Sequence, residues 1–159
     1  MISLRPITLA HYEALHEIQG RVESFPCPSL FDFRAIMSKR EGFVLIADGQ
    51  IIGAVSFSDF MAEMDITVHI FTDPAWHGRF SSRRIYKAVF DYPFEQLGLP
   101  RVTAYLPKSK EHRPFEKVAR YLKALGFQYE GTVRNRLKMP DGNLWDVEIY
   151  GLLKEERRW

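Results

Sequence analysis

Residues 65–84 read DITVHIFTDPAWHGRFSSRR, an apolar strand that runs into a basic turn opening a helix. A helix N-terminus leaves unpaired backbone N–H groups that favour an anion through hydrogen bonds and the helix dipole. Gly78 lets the backbone approach a ligand closely, and Arg79, Arg83 and Arg84 add formal charge. The stretch therefore reads as a phosphate-binding turn, although a solvated basic helix start is the commoner meaning of such residues. In the strand, period-two alternation puts Ile66, Val68 and Ile70 on one face and Asp65, Thr67, His69 and Phe71 on the other. The first face is expected to be core. The second is polar for a strand in mid-sheet, which makes it the place to look for chemistry.

Upstream, residues 2–7 predict a short strand, with Thr8 as cap of a helix carrying Leu9, Tyr12, Leu15 and Ile18. Residues 23–29, with Pro26 and Pro28, predict a loop before a second helix through Leu30, Phe33, Ile36 and Met37. Two apolar runs, 42–47 and 50–57, flank Asp48-Gly49, a dipeptide that tolerates positive φ and closes a hairpin. Downstream, residues 79–97 predict a helix that Pro93 must kink, because proline removes one hydrogen bond. A strand over 101–106 follows, then a helix from Pro114 to the C-terminal cap at Gly126, then a strand pair around Pro140-Asp141-Gly142-Asn143. The order is strand, helix, helix, three strands, helix, strand, helix, two strands.

At 159 residues and 46% hydrophobic content the chain suits one domain, residues 1–159, with a substantial core. A net charge of +2 gives no support to nucleic acid as a partner. No stretch has the length and apolarity to cross a bilayer, so no membrane partner is expected. Cys27 is the one cysteine, so no intrachain disulfide forms, and with no signal-type run in MISLRP the expected compartment is the cytoplasm. His11 and His16 are five apart, which does not align them on one helix face, and no metal is expected.

The element order, with Thr72-Asp73-Pro74-Ala75-Trp76-His77-Gly78-Arg79 after its central strand, resembles the GNAT N-acetyltransferase family. Ala124-Leu125-Gly126-Phe127, Glu130-Gly131-Thr132 and Arg134 resemble the "LGF..EG..R" pattern of the branch that acetylates ribosomal-protein N-termini. Asp146, Tyr150 and residues 152–156 are similar to that branch's closing strand. Gly78-Arg79-Phe80 and Phe90-Asp91-Tyr92-Pro93-Phe94 also resemble small GNAT proteins of phages and prophages. There are departures: His77, Phe80 and Ser82 stand at signature positions of the pyrophosphate loop, two of which usually hold a small residue. Leu122 stands where many members have a tyrosine that protonates the departing thiolate, and Phe115 replaces an asparagine.

The resemblance implies a mixed α/β, three-layer fold, with a central, mostly antiparallel twisted sheet of about seven strands flanked by about four helices. It implies acetyl-CoA as co-substrate, held by backbone groups around Ile70, Phe71 and Thr72 and by a pyrophosphate loop of His77, Gly78, Arg79, Phe80, Ser81, Ser82 and Arg83. Direct attack by an amine requires removal of a proton, since a primary amine is mostly protonated at neutral pH. The candidates are His69, Asp65 and Glu63, and His69 needs the smallest pKa shift to act as base. A packed histidine and strand-end surface charges are the structural alternatives. The expected acceptor is an amine-bearing small molecule or a protein N-terminus, and a second copy of the chain as partner stays open. A CoA-binding or interaction module with little catalysis is the alternative to an enzyme.

Overall fold

The computed structural model describes residues 2–22, 27–76, 83–109 and 115–159, without the side chains of residues 83 and 84. Its elements follow the expected order: β1 (Ile2–Pro6), α1 (Tyr12–Arg21), α2 (Leu30–Met37), β2 (Glu41–Ala47), β3 (Gln50–Met61), β4 (Asp65–Thr72), α3 (Arg83–Asp91), β5 (Arg101–Lys108), α4 (Glu116–Leu125), β6 (Gln128–Lys138) and β7 (Leu144–Leu153). The seven strands form one sheet in the order β1-β2-β3-β4-β5-β7-β6. The pairs β1–β2, β2–β3, β5–β7 and β6–β7 are antiparallel, so the fold is the mixed α/β, mostly antiparallel arrangement expected. By contacts the chain divides into two units, Met1–Ser58 with Val68–Asp91 and Asp59–Thr67 with Tyr92–Trp159.

In the first unit, Asp48 (φ 50°) and Gly49 (φ 81°) close the β2–β3 hairpin between the paired Ala47 and Gln50, the backbone a two-residue loop of this kind requires. Helices α1 and α2 bury Tyr12, Leu15, Phe33 and Met37 against Val44 and Ala54, with Ile7, Ile46, Ile51 and Phe71 packed around them. Full burial of a side chain the size of Phe33 contributes about 1.5–3 kcal/mol. Helix α2 begins as its sequence suggests, with the Asp32 N–H donating to Ser29 Oγ at 3.1 Å. At Thr8 the detail differs: a 3₁₀ turn, Leu9–His11, precedes α1, and His11 Nδ1 accepts the Thr8 N–H at 3.0 Å. Imidazole thus caps this start from within the turn.

A β-bulge shapes the middle of this unit. Leu45 pairs with Gly53 and Ile46 with Ile51, which leaves Ile52 as the extra residue. A Cβ built on Gly53 would lie 2.2 Å from the Phe71 carbonyl oxygen, so the end of β4 occupies space that only glycine leaves open. The extra Ile52 carbonyl accepts the Asp73 N–H at 2.8 Å.

In the second unit, α4 ends at Gly126 (φ 108°), whose left-handed backbone lets the Phe127 N–H reach the Leu122 carbonyl at 3.0 Å. Pro93 acts as expected: α3 stops at Asp91, and Tyr92–Gln96 forms a π-helical turn in which the Leu97 N–H donates to the Tyr92 carbonyl at 3.0 Å. Phe94, within that turn, and Leu99, just after it, are buried. Lys154 Nζ donates to the Phe94 carbonyl at 3.0 Å, and the Arg157 guanidinium lies 5.2 Å from the Phe94 ring centre. The C-terminal segment is thus tied to the turn through Phe94.

Candidate active site

Strand β4 changes character along its length. Ile66 and Val68 are buried as expected, but Ile70 is 39% exposed. The apolar cover of that face ends before Ile70, which corrects the expectation that all three residues are core. On the opposite face Thr67 is buried, His69 is half-buried, and Phe71 joins the core beneath α1 and α2. Alternation puts His69 on that same face, two residues from Phe71. Its Nε2 lies 2.7 Å from Ser58 Oγ on β3. This bond fixes the ring against the sheet and constrains its tautomer. Two residues earlier on β3, Ser56 is buried, and its Oγ has no partner among the described residues. A buried hydroxyl without a protein partner is where a water or a ligand group would be satisfied.

Beyond β4 the chain is pinned at Asp73. Its N–H donates to Ile52, its carbonyl accepts the Trp76 N–H at 2.8 Å, and its Oδ1 accepts the Ala75 N–H at 3.0 Å. Its Oδ2 accepts Arg21 Nη2 at 2.6 Å from the last residue of α1. These bonds set the direction in which the backbone leaves Thr72 and enters the 3₁₀ turn Pro74–Trp76. His77, Gly78, Arg79, Phe80, Ser81 and Ser82, expected to form the pyrophosphate loop, lie outside the described residues, as does the Arg83 side chain.

Asp65 has a different setting from His69. Four residues separate them on β4, about 13 Å along an extended strand. Asp65 Oδ2 accepts Thr103 Oγ1 at 2.6 Å and Arg101 Nε at 3.3 Å, and its Oδ1 accepts the Ile66 N–H at 2.8 Å. Arg101 also grips Glu130 through both terminal nitrogens, at 2.6 and 2.5 Å. Hydrogen bonds from Arg101, then its charge, hold the Glu130 carboxyl below the usual carboxylate range, and the same bonds raise the Arg101 pKa. The bridge from β5 to β6 passes over Gly151 of β7, where an added Cβ would lie 2.2 Å from Glu130 Oε1. Asp65 is thus one corner of an ion-paired network. Glu63 stands in the exposed turn between β3 and β4, at φ 63°.

Between β5, β7 and α4 lies a cleft of about 100 Å³. On its floor Glu148 accepts the Tyr150 hydroxyl at 2.9 Å and lies 3.4 Å from Lys108 Nζ. Its volume is below the roughly 300 Å³ at which small-molecule sites begin. On α4 Leu122 is buried and Tyr121 is exposed, so the neighbouring tyrosine does not take over the position that Leu122 fills. Among the described residues no group of three or more His, Cys, Asp or Glu is placed to hold a metal ion, and no helix is long and apolar enough to cross a membrane. Sequence reading missed Ser58, Ser56, Arg21 and Arg101. A serine on the edge of an apolar run was the only available sign of the first two.

Comparison with known proteins agrees with this fold. Residues 2–128 match the model of the acetyltransferase (GNAT) domain. A putative phosphinothricin N-acetyltransferase superposes with a TM-score of 0.80 at 20% identity, over 96% of this chain and 98% of that one. A chimera of the spermidine N-acetyltransferase SpeG from Vibrio cholerae gives 0.76 at 19% identity, over 97% and 96%. The ribosomal-protein-S18-alanine N-acetyltransferase from Escherichia coli gives 0.73 at 18% identity, over 96% and 94%. At these identities the structures establish the fold. No curated protein sequence matches.

Proposed function

The chain belongs to the GNAT acetyltransferase family, and from that premise we propose that it transfers the acetyl group of acetyl-CoA to a primary amine, by direct attack in a ternary complex. The observation that carries this reading is the His69–Ser58 pair on a strand whose next residues, Ile70 to Thr72, are open or half-open. Both units act as one acyltransferase domain in this reading, working in the cytoplasm and without a metal.

Acetyl-CoA supplies the activated acetyl group. The backbone at Ile70, Phe71 and Thr72 holds its pantetheine arm, Gly53 having brought that backbone to its place, and residues 77–83 hold the pyrophosphate. His69 takes the proton that the amine must lose, and Ser58 keeps the imidazole aimed while it does so. Asp65 is committed to Arg101 and Thr103, and Glu63 is on an exposed turn, so both serve better as supports and surface charge than as the base. The acceptor is an amine-bearing small molecule or a protein N-terminus, the two classes named for the similar structures.

A second reading has its own observation: with Leu122 buried at the position of the family's acidic tyrosine, the domain binds CoA and transfers little. Replacement of His69 separates the two. His69→Gln should lower turnover about 10²-fold or more while leaving acetyl-CoA binding within twofold, the size expected for loss of a general base. Wild-type turnover from that variant returns His69 to a packing role.

A further inference from the structure

We propose that Arg21, the last residue of α1, is a positioning residue for acetyl-CoA, acting through Asp73 on the backbone at the end of β4. The inference rests on the acetyltransferase reading and deepens it. Asp73 is the point at which β4 stops being strand. Its N–H is used by the bulged Ile52, its carbonyl by Trp76 and its Oδ1 by Ala75. Its second carboxylate oxygen, Oδ2, accepts Arg21 Nη2 at 2.6 Å, which ties the end of β4 to α1. The two residues are 52 apart in sequence.

The exposures show where the pair acts. The Asp73 side chain is 19% exposed and that of Arg21 is 52% exposed. A pair this open adds little to global stability. Its influence is local, because Asp73 follows directly on Phe71 and Thr72, whose backbone lies against Gly53. With Arg21 in place the carboxylate stays turned toward Ala75 and the Pro74–Trp76 turn keeps its direction. Without it, the Asp73 carboxylate loses its ion-pair hold on α1, and the end of β4 is held less firmly in the direction the ligand meets. That loss costs affinity and leaves the chemical step alone.

Arg21 also closes α1, immediately before the segment that leads to α2. His16 of the same helix holds the far side of that segment, its Nε2 lying 2.8 Å from the Pro28 carbonyl. Helix α1 thus has one hold on the α1–α2 connection and one on the end of β4.

The test is isothermal titration of acetyl-CoA, with steady-state kinetics alongside, on wild type, Arg21→Ala, Arg21→Lys, Asp73→Asn and the Arg21→Ala/Asp73→Asn double variant. Arg21→Ala should raise the Kd and KM for acetyl-CoA roughly three- to tenfold with kcat within twofold. Arg21→Lys should restore most of the affinity. The double variant should be no weaker than the worse single, since both changes remove one interaction. Unchanged affinity in Arg21→Ala, a loss confined to kcat, or fully additive effects would each overturn the assignment. Failure of wild type to bind acetyl-CoA would instead overturn the acetyltransferase reading, so the two failures are told apart by the first titration.

Discussion

At the scale of single residues, the surroundings of β4 matter most. Gly53 is the plainest case. A methyl group there meets backbone, the Phe71 carbonyl oxygen at 2.2 Å and the Thr72 Cα at 2.8 Å, and backbone cannot swing aside as a side-chain end can. Gly53→Ala should therefore cost roughly 1–3 kcal/mol in urea unfolding, the usual toll of overpacking. An unchanged midpoint would mean that β4 does not run this close to the bulge. What the sequence made legible at this scale is uneven. His69 could be singled out because an imidazole on a polar strand face is uncommon. Its partner Ser58 could not, because the register of β3 against β4 decides which of several serines it meets. Asp65 looked like a candidate base from its strand face alone. Its partners Arg101 and Thr103, 36 and 38 residues away, are brought to it by the sheet and change its meaning.

At the scale of elements, local chemistry was enough to place most boundaries. Asp48-Gly49, Pro93 and Gly126 each impose a backbone state that few other residues accept, and each stands where the chain turns, bends or ends a helix. Ile70 shows the limit: alternation predicts a face, but not where a neighbouring layer stops covering it. The β5–β6–β7 layer has a pH dependence that follows from its bridge. Glu130 has its pKa lowered by Arg101, so its contribution to stability is present above the unfolded-state value near pH 4.3 and is lost as pH falls through the folded-state value. Glu95, lowered by hydrogen bonds from Arg157 and Lys154, titrates in the same direction. Wild type should accordingly lose urea resistance on acidification below about pH 4, and Glu130→Gln should differ from it less at pH 3 than at pH 7. A difference that stays constant over that range would show that the bridge carries no titratable stability.

For the molecule as a whole, a +2 net charge, a seven-stranded sheet and a GNAT domain match over residues 2–128 describe an acetyltransferase scaffold. The family was legible in the sequence because its element order can be read from local periodicity and turn residues over most of the chain. The acceptor was not, because an amine is recognised by walls assembled from distant segments and no short motif encodes them. A ligand at a hundred times its Kd stabilises a fold by about 2.7 kcal/mol, so saturating acetyl-CoA should raise the melting temperature by roughly 5–10 °C for a chain of this size. Binding alone, however, is common to the enzyme and to a CoA-binding module. The measurement that separates them is release of free CoA thiol from acetyl-CoA, followed against a panel of a polyamine, phosphinothricin and a peptide with N-terminal alanine. Transfer by the proposed route predicts thiol release that depends on one of these amines and falls with His69→Gln. Release no faster than without protein, for every amine offered under acetyl-CoA saturation, would contradict it.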